Sequence, residues 1–431
     1  MDLNTVRRQS GRRRLPKSDR LPARVRLSLL MFLVYAAPGA VVPIFSLRLS
    51  ELGFTPIEIG FCCATQALGT MLAPLFAGQI ADCWIPAERC LAVCAFVEAA
   101  LLWLLASLTS PSAVFAANLA FWLVMSPAMT LSTAVAFAHL ADPAREFGRV
   151  RLWGTVGWVA PLWLLGWWLG DSGSAESILA WLRPANPHAL LADAFRLGSV
   201  AAALFGLYAL TLPHTVPKEN PRSWAAPLAA FRLLKGRAFF VYAFCTLGVY
   251  IALPFSTQLT PLLVKSLGVS PAWLPRLLTV AQASEVASLA VLPLVMNRLG
   301  NRLTMCVGLI AAVLTLTSLM HGRPLALVVG GLGLYGLVIS CYIVAGQMYL
   351  NRRSQPDVRA SAQALHSVLS GIGLLIGNVL VGVIHEAFAG NFAATFAVAA
   401  GGSVLLLVVF AIGFPRETTP DALATSSPRS P

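Results

Sequence analysis

Glu285 is the residue on which any chemistry in this sequence would turn. It is an acidic side chain about twelve residues into an otherwise apolar run, 273–296. At about 1.5 Å of rise per residue it falls near the middle of a helix long enough to cross a bilayer. A carboxyl in such surroundings carries charge only at a cost, which suits it to load and release a proton or to anchor a polar ligand. Gln282 precedes it by three residues and so shares its helix face, offering both donors and acceptors. The bland alternative for the pair is a hydrogen bond between helices with no ligand involved.

A second constellation is Arg151, Thr155 and Trp158. The spacing i, i+4, i+7 puts all three on one helix face. A guanidinium fork can hold a carboxylate or the oxygens of a sugar or base; the hydroxyl adds a further partner, and the indole a surface for stacking. Arg151 also reads as one more basic residue at a helix end. Tyr335 lies about eleven residues into the run 324–349, among Gly330, Gly331, Gly333 and Gly336. Small residues there let helices approach closely, and the phenol offers a polar tip to a cavity, with simple packing as the alternative.

The remaining polar groups within apolar runs are Glu98, His139, Gln66, Gln258, Gln347, Gln363, His366 and Asn378. Glu98 is expected to find a structural partner such as a neighbouring hydroxyl or amide. The others are expected to make interhelical hydrogen bonds, with His366 of most interest because histidine titrates near neutrality. Asp82 is expected to cap a helix or to pair with Arg89 as a gating contact. Eight cysteines are scattered in or beside apolar runs without paired CxxC motifs, as small buried hydrophobes would be. No GxSxG, HExxH or phosphate-cradling loop is present, so no catalytic residue, metal or cofactor is expected.

The elements that must hold these residues follow from composition. Hydrophobic residues make up 57% and charged residues 11%, against roughly 25% charged in soluble domains. Continuous rather than alternating apolar runs point to helices, since lipid offers no partner for free backbone groups. Runs can be drawn at 27–48, 56–79, 90–109, 112–138, 150–170, 190–212, 238–263, 273–296, 303–320, 324–349, 361–385 and 391–414. They predict an all-α membrane protein of about twelve transmembrane helices. The net charge of +13 reflects topology rather than a nucleic-acid partner. Basic residues crowd the first 26 positions and recur after every second run, at Arg89, Arg145, Lys218, Arg298 and Arg352 among others. That bias places both termini in the cytoplasm. The tail lacks a cleavage site after a short apolar region and is expected to orient the protein and rest on anionic lipid.

The longest internal polar stretch, 213–237, divides the chain into halves. The expected organisation is a basic tail (1–26), a six-helix bundle (27–212), a cytoplasmic linker (213–237), a second six-helix bundle (238–414) and a cytoplasmic tail (415–431). An internal echo supports the repeat: Gly78-Gln79-Ile80-Ala81-Asp82 follows the second run and Asn297-Arg298-Leu299-Gly300-Asn301-Arg302 the eighth. Two similar halves are the signature of a large transporter architecture.

With these features in place, the sequence resembles the major facilitator superfamily, and within it the nucleoside:proton symporters. Four stretches carry the likeness: Arg149-Val150-Arg151-Leu152-Trp153-Gly154-Thr155-Val156-Gly157-Trp158, Leu210-Thr211-Leu212-Pro213-His214, Gln282-Ala283-Ser284-Glu285, and Val358-Arg359-Ala360-Ser361-Ala362-Gln363. The first is also similar to that of the oligosaccharide symporters. The resemblance implies substrate binding by Arg151, Thr155, Trp158, Gln282, Glu285 and Tyr335, with Glu285 coupling to protons. It departs from the family at Ile339-Ser340, where an aromatic and an aspartate are usual, and at Ala252 and Phe255, where Gln and Asn are usual. Ser340 cannot carry a proton, so coupling would fall to Glu285.

The expectation is thus a monomeric, multi-pass secondary transporter of a bacterial inner membrane. It would import a nucleoside-like solute with protons by alternating access. Its rivals are a sugar or drug transporter of the same fold, including an exporter, and a non-transporting sensor or intramembrane enzyme.

Overall fold

The computed structural model describes residues 23–83, 86–140, 142–170, 191–213, 236–353 and 359–415. The described residues form two six-helix bundles. The first holds α1 (Ala23–Glu51, with a tight turn at Val42–Ile44 beside Pro43), α2 (Pro56–Cys83), α3 (Ala87–Ser107), α4 (Pro111–His139), α5 (Pro143–Gly170) and α6 (Ala192–Ala209). The second holds α7 (Arg237–Ser266), α8 (280–299, led in by the short turn Leu274–Leu278), α9 (301–321), α10 (325–353), α11 (Arg359–Ala387) and α12 (Phe392–Gly413). Among the described residues, eight stretches are long and apolar enough to cross a membrane, and one of them, Leu274–His321, folds back on itself and supplies both α8 and α9. The proposed tails and the linker 213–237 lie wholly or largely outside the described residues, as do residues 171–190, Val358 and the side chains of Asp82, Arg359, Ala360, Ser361 and Ala362.

Local signals set the helix ends. Thr55 and Glu58 cap α2 reciprocally: the Glu58 amide donates to Thr55 Oγ1 at 3.3 Å and the Thr55 amide donates to Glu58 Oε2 at 2.8 Å. Asn391 Oδ1 accepts from the Ala394 amide and starts α12. The α8–α9 reversal is made at Gly300, whose φ of 73° lies in the region that side-chain-bearing residues avoid. The polar stretch that the sequence shows after the eighth run is therefore a turn of one residue between two helices.

Packing within each bundle depends on backbones meeting. A Cβ built on Gly157 of α5 would overlap the carbonyl of Phe32 on α1, and one on Gly39 would lie 2.6 Å from the Trp158 Cα. Arg24 and Glu146 pair at the start of the same two helices. In the second bundle Gly336 of α10 rests against Ser284 and Glu285 of α8; its amide donates to Ser284 Oγ at 3.0 Å, and Ser288 Oγ donates to its carbonyl at 3.0 Å. One turn on, α10 widens into a π-helical segment at Val338–Val344, a form often found at functional positions.

The described chain ends, Ala23 and Pro415, lie on one face, here the terminal face. Tyr208 near the end of α6 donates to the Arg26 carbonyl at 2.7 Å, and Arg237 at the start of α7 donates to the Ile412 carbonyl at 3.3 Å. Toward the opposite, far face the bundles meet. Ser46 Oγ donates to the Gln258 carbonyl at 2.7 Å, Lys265 pairs with Glu51 at 2.9 Å, the Ile57 amide donates to Glu386 at 3.3 Å, and Trp163 Nε1 donates to Thr279 Oγ1 at 3.2 Å.

Because the neighbour of Gly157 is backbone, it has no rotamer to yield. Gly157→Leu is expected to destabilise the protein by about 1–3 kcal/mol or more. Gly402→Leu, at an exposed site with nothing within 4 Å of an added Cβ, should change stability by less than about 0.5 kcal/mol. Thermal unfolding of both variants in detergent, followed as the monodisperse fraction, checks the contrast.

Candidate functional site

A cavity of about 370 Å³ lies between the two bundles. All six residues singled out from the sequence line it. Arg151, Thr155 and Trp158 come from α5 of the first bundle, and Gln282, Glu285 and Tyr335 come from α8 and α10 of the second. The helix faces inferred from spacing therefore converge on one space.

The first-bundle wall is built from α5 lying on α1. The Arg151 guanidinium stacks on the Tyr35 ring, 4.1 Å from its centroid, a cation–π contact that flattens the fork against the wall. Gly154 makes room for it: an added Cβ would sit 2.5 Å from Arg151 Nη1 and 2.8 Å from the Tyr35 ring. Thr155 and Trp158 follow on the same face, and the Trp158 indole N–H has no hydrogen-bond partner. On the second-bundle wall Gln282 Oε1 is likewise without a partner, while Glu285 and Tyr335 are half-buried. Glu285 stands within electrostatic reach of both Arg151 and Tyr335. A cation and a carboxyl thus face each other across the bundle interface, with a free donor and a free acceptor beside them. Buried polar atoms without protein partners are rare, and such atoms in a cavity wall are available to a ligand.

Sequence reasoning left several wall residues out of the site. Tyr35 was not singled out at all, although a lone tyrosine in the first apolar run is a weak signal of a polar tip in the membrane. Trp122, Asn118 and Thr257 also line the cavity. Gln66, Gln258 and Asn378, assigned to interhelical hydrogen bonds, line it too. Of these, Asn378 bonds within its own helix to the Leu374 carbonyl at 2.8 Å, and Gln258 Oε1 has no partner. Gln258 also borders a second cavity, of about 510 Å³, toward the far face, lined by Ser50, Phe54, Lys265 and His385 among others. At the positions where the chain departs from its resembling family, Ile339 lines the central cavity and Ser340 does not. Ser340 is fully buried beside Cys341. Phe255 is buried in the core, and α7 presents Leu253, Thr257 and Gln258 instead.

One expectation is overturned. Glu98 was expected to have a hydroxyl or amide partner, but it is 1% exposed and neither carboxyl oxygen makes a hydrogen bond. It sits on α3, which packs on α4 and α6 away from the cavity, and the hydroxyl that α6 brings beside it, Ser199, donates to the Ala99 carbonyl at 2.7 Å instead. Among the described residues, no group of three or more His, Cys, Asp or Glu side chains is placed to hold a metal.

Residues 21–419 match the model of a family described as nucleoside H+ symporter. The chain is 30% identical over 373 residues to the putative nucleoside transporter YegT of Escherichia coli, with 84% of each chain covered. It is 27% identical over 428 residues to the xanthosine permease of the same organism, covering 93% of this chain and 97% of the relative. The crystal structure of the nucleoside transporter NupG superposes with a TM-score of 0.78 at 21% identity, covering 92% of this chain and all of the other.

The unpartnered Glu98 gives a direct test of the packing. Replacing a buried group that lacks hydrogen bonds by an apolar one of similar shape removes its desolvation penalty, about 1–3 kcal/mol. Glu98→Met is therefore expected to raise the unfolding temperature of the purified protein. A fall would mean that the carboxyl has a partner.

Proposed function

The chain belongs to the nucleoside H+ symporter family, and from that premise we propose that it carries a nucleoside inward together with protons. The observation that carries this reading is the pairing of unlike walls around one small cavity. Arg151 on Tyr35 and the free indole N–H of Trp158 belong to one bundle, and Glu285, Tyr335 and the free carbonyl of Gln282 to the other. A nucleoside offers a flat base for the aromatic faces of Trp158 and Tyr335, and ribose hydroxyls for Thr155, Gln282 and Glu285. At about 370 Å³ the space is at the small end of the range for small-molecule sites, which suits a ligand of that size.

Transport follows from ligands being shared between the halves. A solute bridging the two walls favours the state in which they are close, and rocking of the bundles exposes it to one face at a time. The contacts that join the bundles near the far face support a carrier that exchanges its solute at the terminal face. We assign that face to the cytoplasm on the basic loops, and the membrane to a bacterial inner membrane; the working unit is a monomer. Glu285 is the proton-binding group at the solute. Protonated, it donates a hydrogen bond to the ligand, and ionised, it pairs with Arg151 and competes with the ligand for it.

Uptake of labelled uridine and adenosine into proteoliposomes with an imposed inward proton gradient tests this reading. Wild type should accumulate solute only while the gradient lasts, and Glu285→Gln should lose gradient-driven accumulation by about tenfold or more. Correctly inserted wild-type protein that takes up neither nucleoside would refute the substrate assignment.

A further inference from the structure

Outside the cavity, the second bundle contains a buried cluster that solute binding does not use. His366 of α11 is 3% exposed and lies between two tyrosines of α7 that are two helical turns apart. The Tyr242 hydroxyl is 2.9 Å from Nδ1 and the Tyr250 hydroxyl is 3.2 Å from Nε2. Both tyrosines are themselves buried, at 2% and 8% exposure. A titratable ring with a hydroxyl on each nitrogen has a specific property. The neutral ring has one donor and one acceptor, so one tyrosine donates to it and the other accepts from it. The doubly protonated ring has two donors, so both tyrosines must accept and both hydroxyl hydrogens must point elsewhere.

The position of the cluster gives that reorientation consequences. Tyr250 is within electrostatic reach of Tyr335, which lines the cavity and in turn is within reach of Glu285. The seam between α7 and α11 is tight: Gly373 rests on Tyr250 Cβ, and a Cβ on Gly377 would lie 2.5 Å from the Ile251 carbonyl. These two helices also carry some of the contacts of the second bundle with the first, through Gln258 to Ser46 and through Asn378 to Gly60.

Among the described residues no carboxylate faces the ring. On the elements packed against α11, α12 has no titratable side chain, and α10 brings Cys341, Tyr342 and Tyr349, besides Tyr335 in the cavity wall and, at its end, Arg352 and Arg353, whose side chains lie outside the described residues. Of these, the Tyr349 ring is 6.2 Å from that of Tyr242, and the Tyr342 hydroxyl is 3.4 Å from Thr246. Cys245 lies between the two tyrosines on α7. The described part of α2 carries Glu58, Cys62 and Cys63, level with Asn378 and about 18 Å along α11 from His366. His385 and Glu386 are farther still along α11 itself.

We propose that His366 is a second proton-binding group of this transporter, a positioning residue that acts on the solute site through Tyr250 and on the bundle interface through the α7–α11 seam. The proposal rests on the symport reading above and adds to it a coupling residue remote from the solute. Hydronium from the aqueous phase gives one proton to the ring nitrogen that lacks it, leaving water, and water takes the proton back on release; no bond between heavy atoms changes. The closed seam satisfies the neutral ring completely, so proton occupancy favours the conformation in which the seam loosens. A ligand drives a transition only through its different affinity for the two states.

The test separates coupling from carriage in proteoliposomes with labelled uridine. His366→Gln keeps a donor and an acceptor but cannot titrate, while Tyr250→Phe and Tyr242→Phe remove only a hydroxyl. Counterflow of uridine at equal pH on both sides should stay within about twofold of wild type for His366→Gln, whereas accumulation driven by a proton gradient should fall by about tenfold. Its accumulation should also have a pH profile different from that of wild type. Tyr250→Phe should fall in the same direction, which a folding defect in the histidine variant could not mimic. Gradient-driven accumulation like that of wild type in either His366→Gln or Tyr250→Phe overturns the proposal. Absence of gradient-driven accumulation in wild type itself would instead refute the symport reading on which it rests.

Discussion

Inside a bilayer there is no water to accept a stray hydrogen bond, and this constraint organises the whole molecule. It forces the backbone into helices and brings those helices together through bare backbone at Gly39, Gly157 and Gly336. It also sorts the polar side chains. Most find a partner within a turn or across a helix seam, as Ser199 does on the Ala99 carbonyl and Asn118 does on Thr65. The indole of Trp158 and the amide carbonyls of Gln258 and Gln282 do not, and all three border the cavity between the bundles. Glu98 is without a partner in an apolar setting, and that contrast separates a ligand-facing group from a structural cost.

The fold was legible in the sequence because its signal is one-dimensional. Twelve apolar runs of crossing length, and a polar break at their centre, need no knowledge of tertiary contacts. Even the hairpin at Gly300 was marked, by the glycine within a short polar stretch. The site was legible where helix periodicity alone sufficed: Gln282 with Glu285, and Arg151 with Thr155 and Trp158, share a face by spacing. It was not legible where function depends on which helix lies opposite. Tyr35 gains its meaning from Arg151, more than a hundred positions away, and nothing around Tyr35 announces that pairing. His366 was noted for its titration range, but its two tyrosines lie on a helix more than a hundred positions earlier. Glu98 failed for the same reason, since the hydroxyl that α6 brings to it, Ser199, is taken by the Ala99 carbonyl.

The departures from the family take on physical sense in three dimensions. Ile339 faces the cavity where an aromatic is usual, and Ser340 is turned into the core, beside the start of the π-helical segment of α10. Acidic chemistry at the solute therefore concentrates on α8, and among the described residues a further carboxyl or imidazole must be sought behind the wall rather than in it. The α7–α11 seam is where the structure offers one.

The far cavity adds a last consequence. It and the central cavity share Gln258, whose backbone is fixed by Ser46 while its side-chain carbonyl is unattached. At that point a single buried glutamine stands between the two compartments. Rocking of whole bundles takes microseconds to milliseconds, and it carries this side chain with the helix that holds it. The same amide thus borders the solute on one side and the far compartment on the other, and its free carbonyl is a group that either space can solvate.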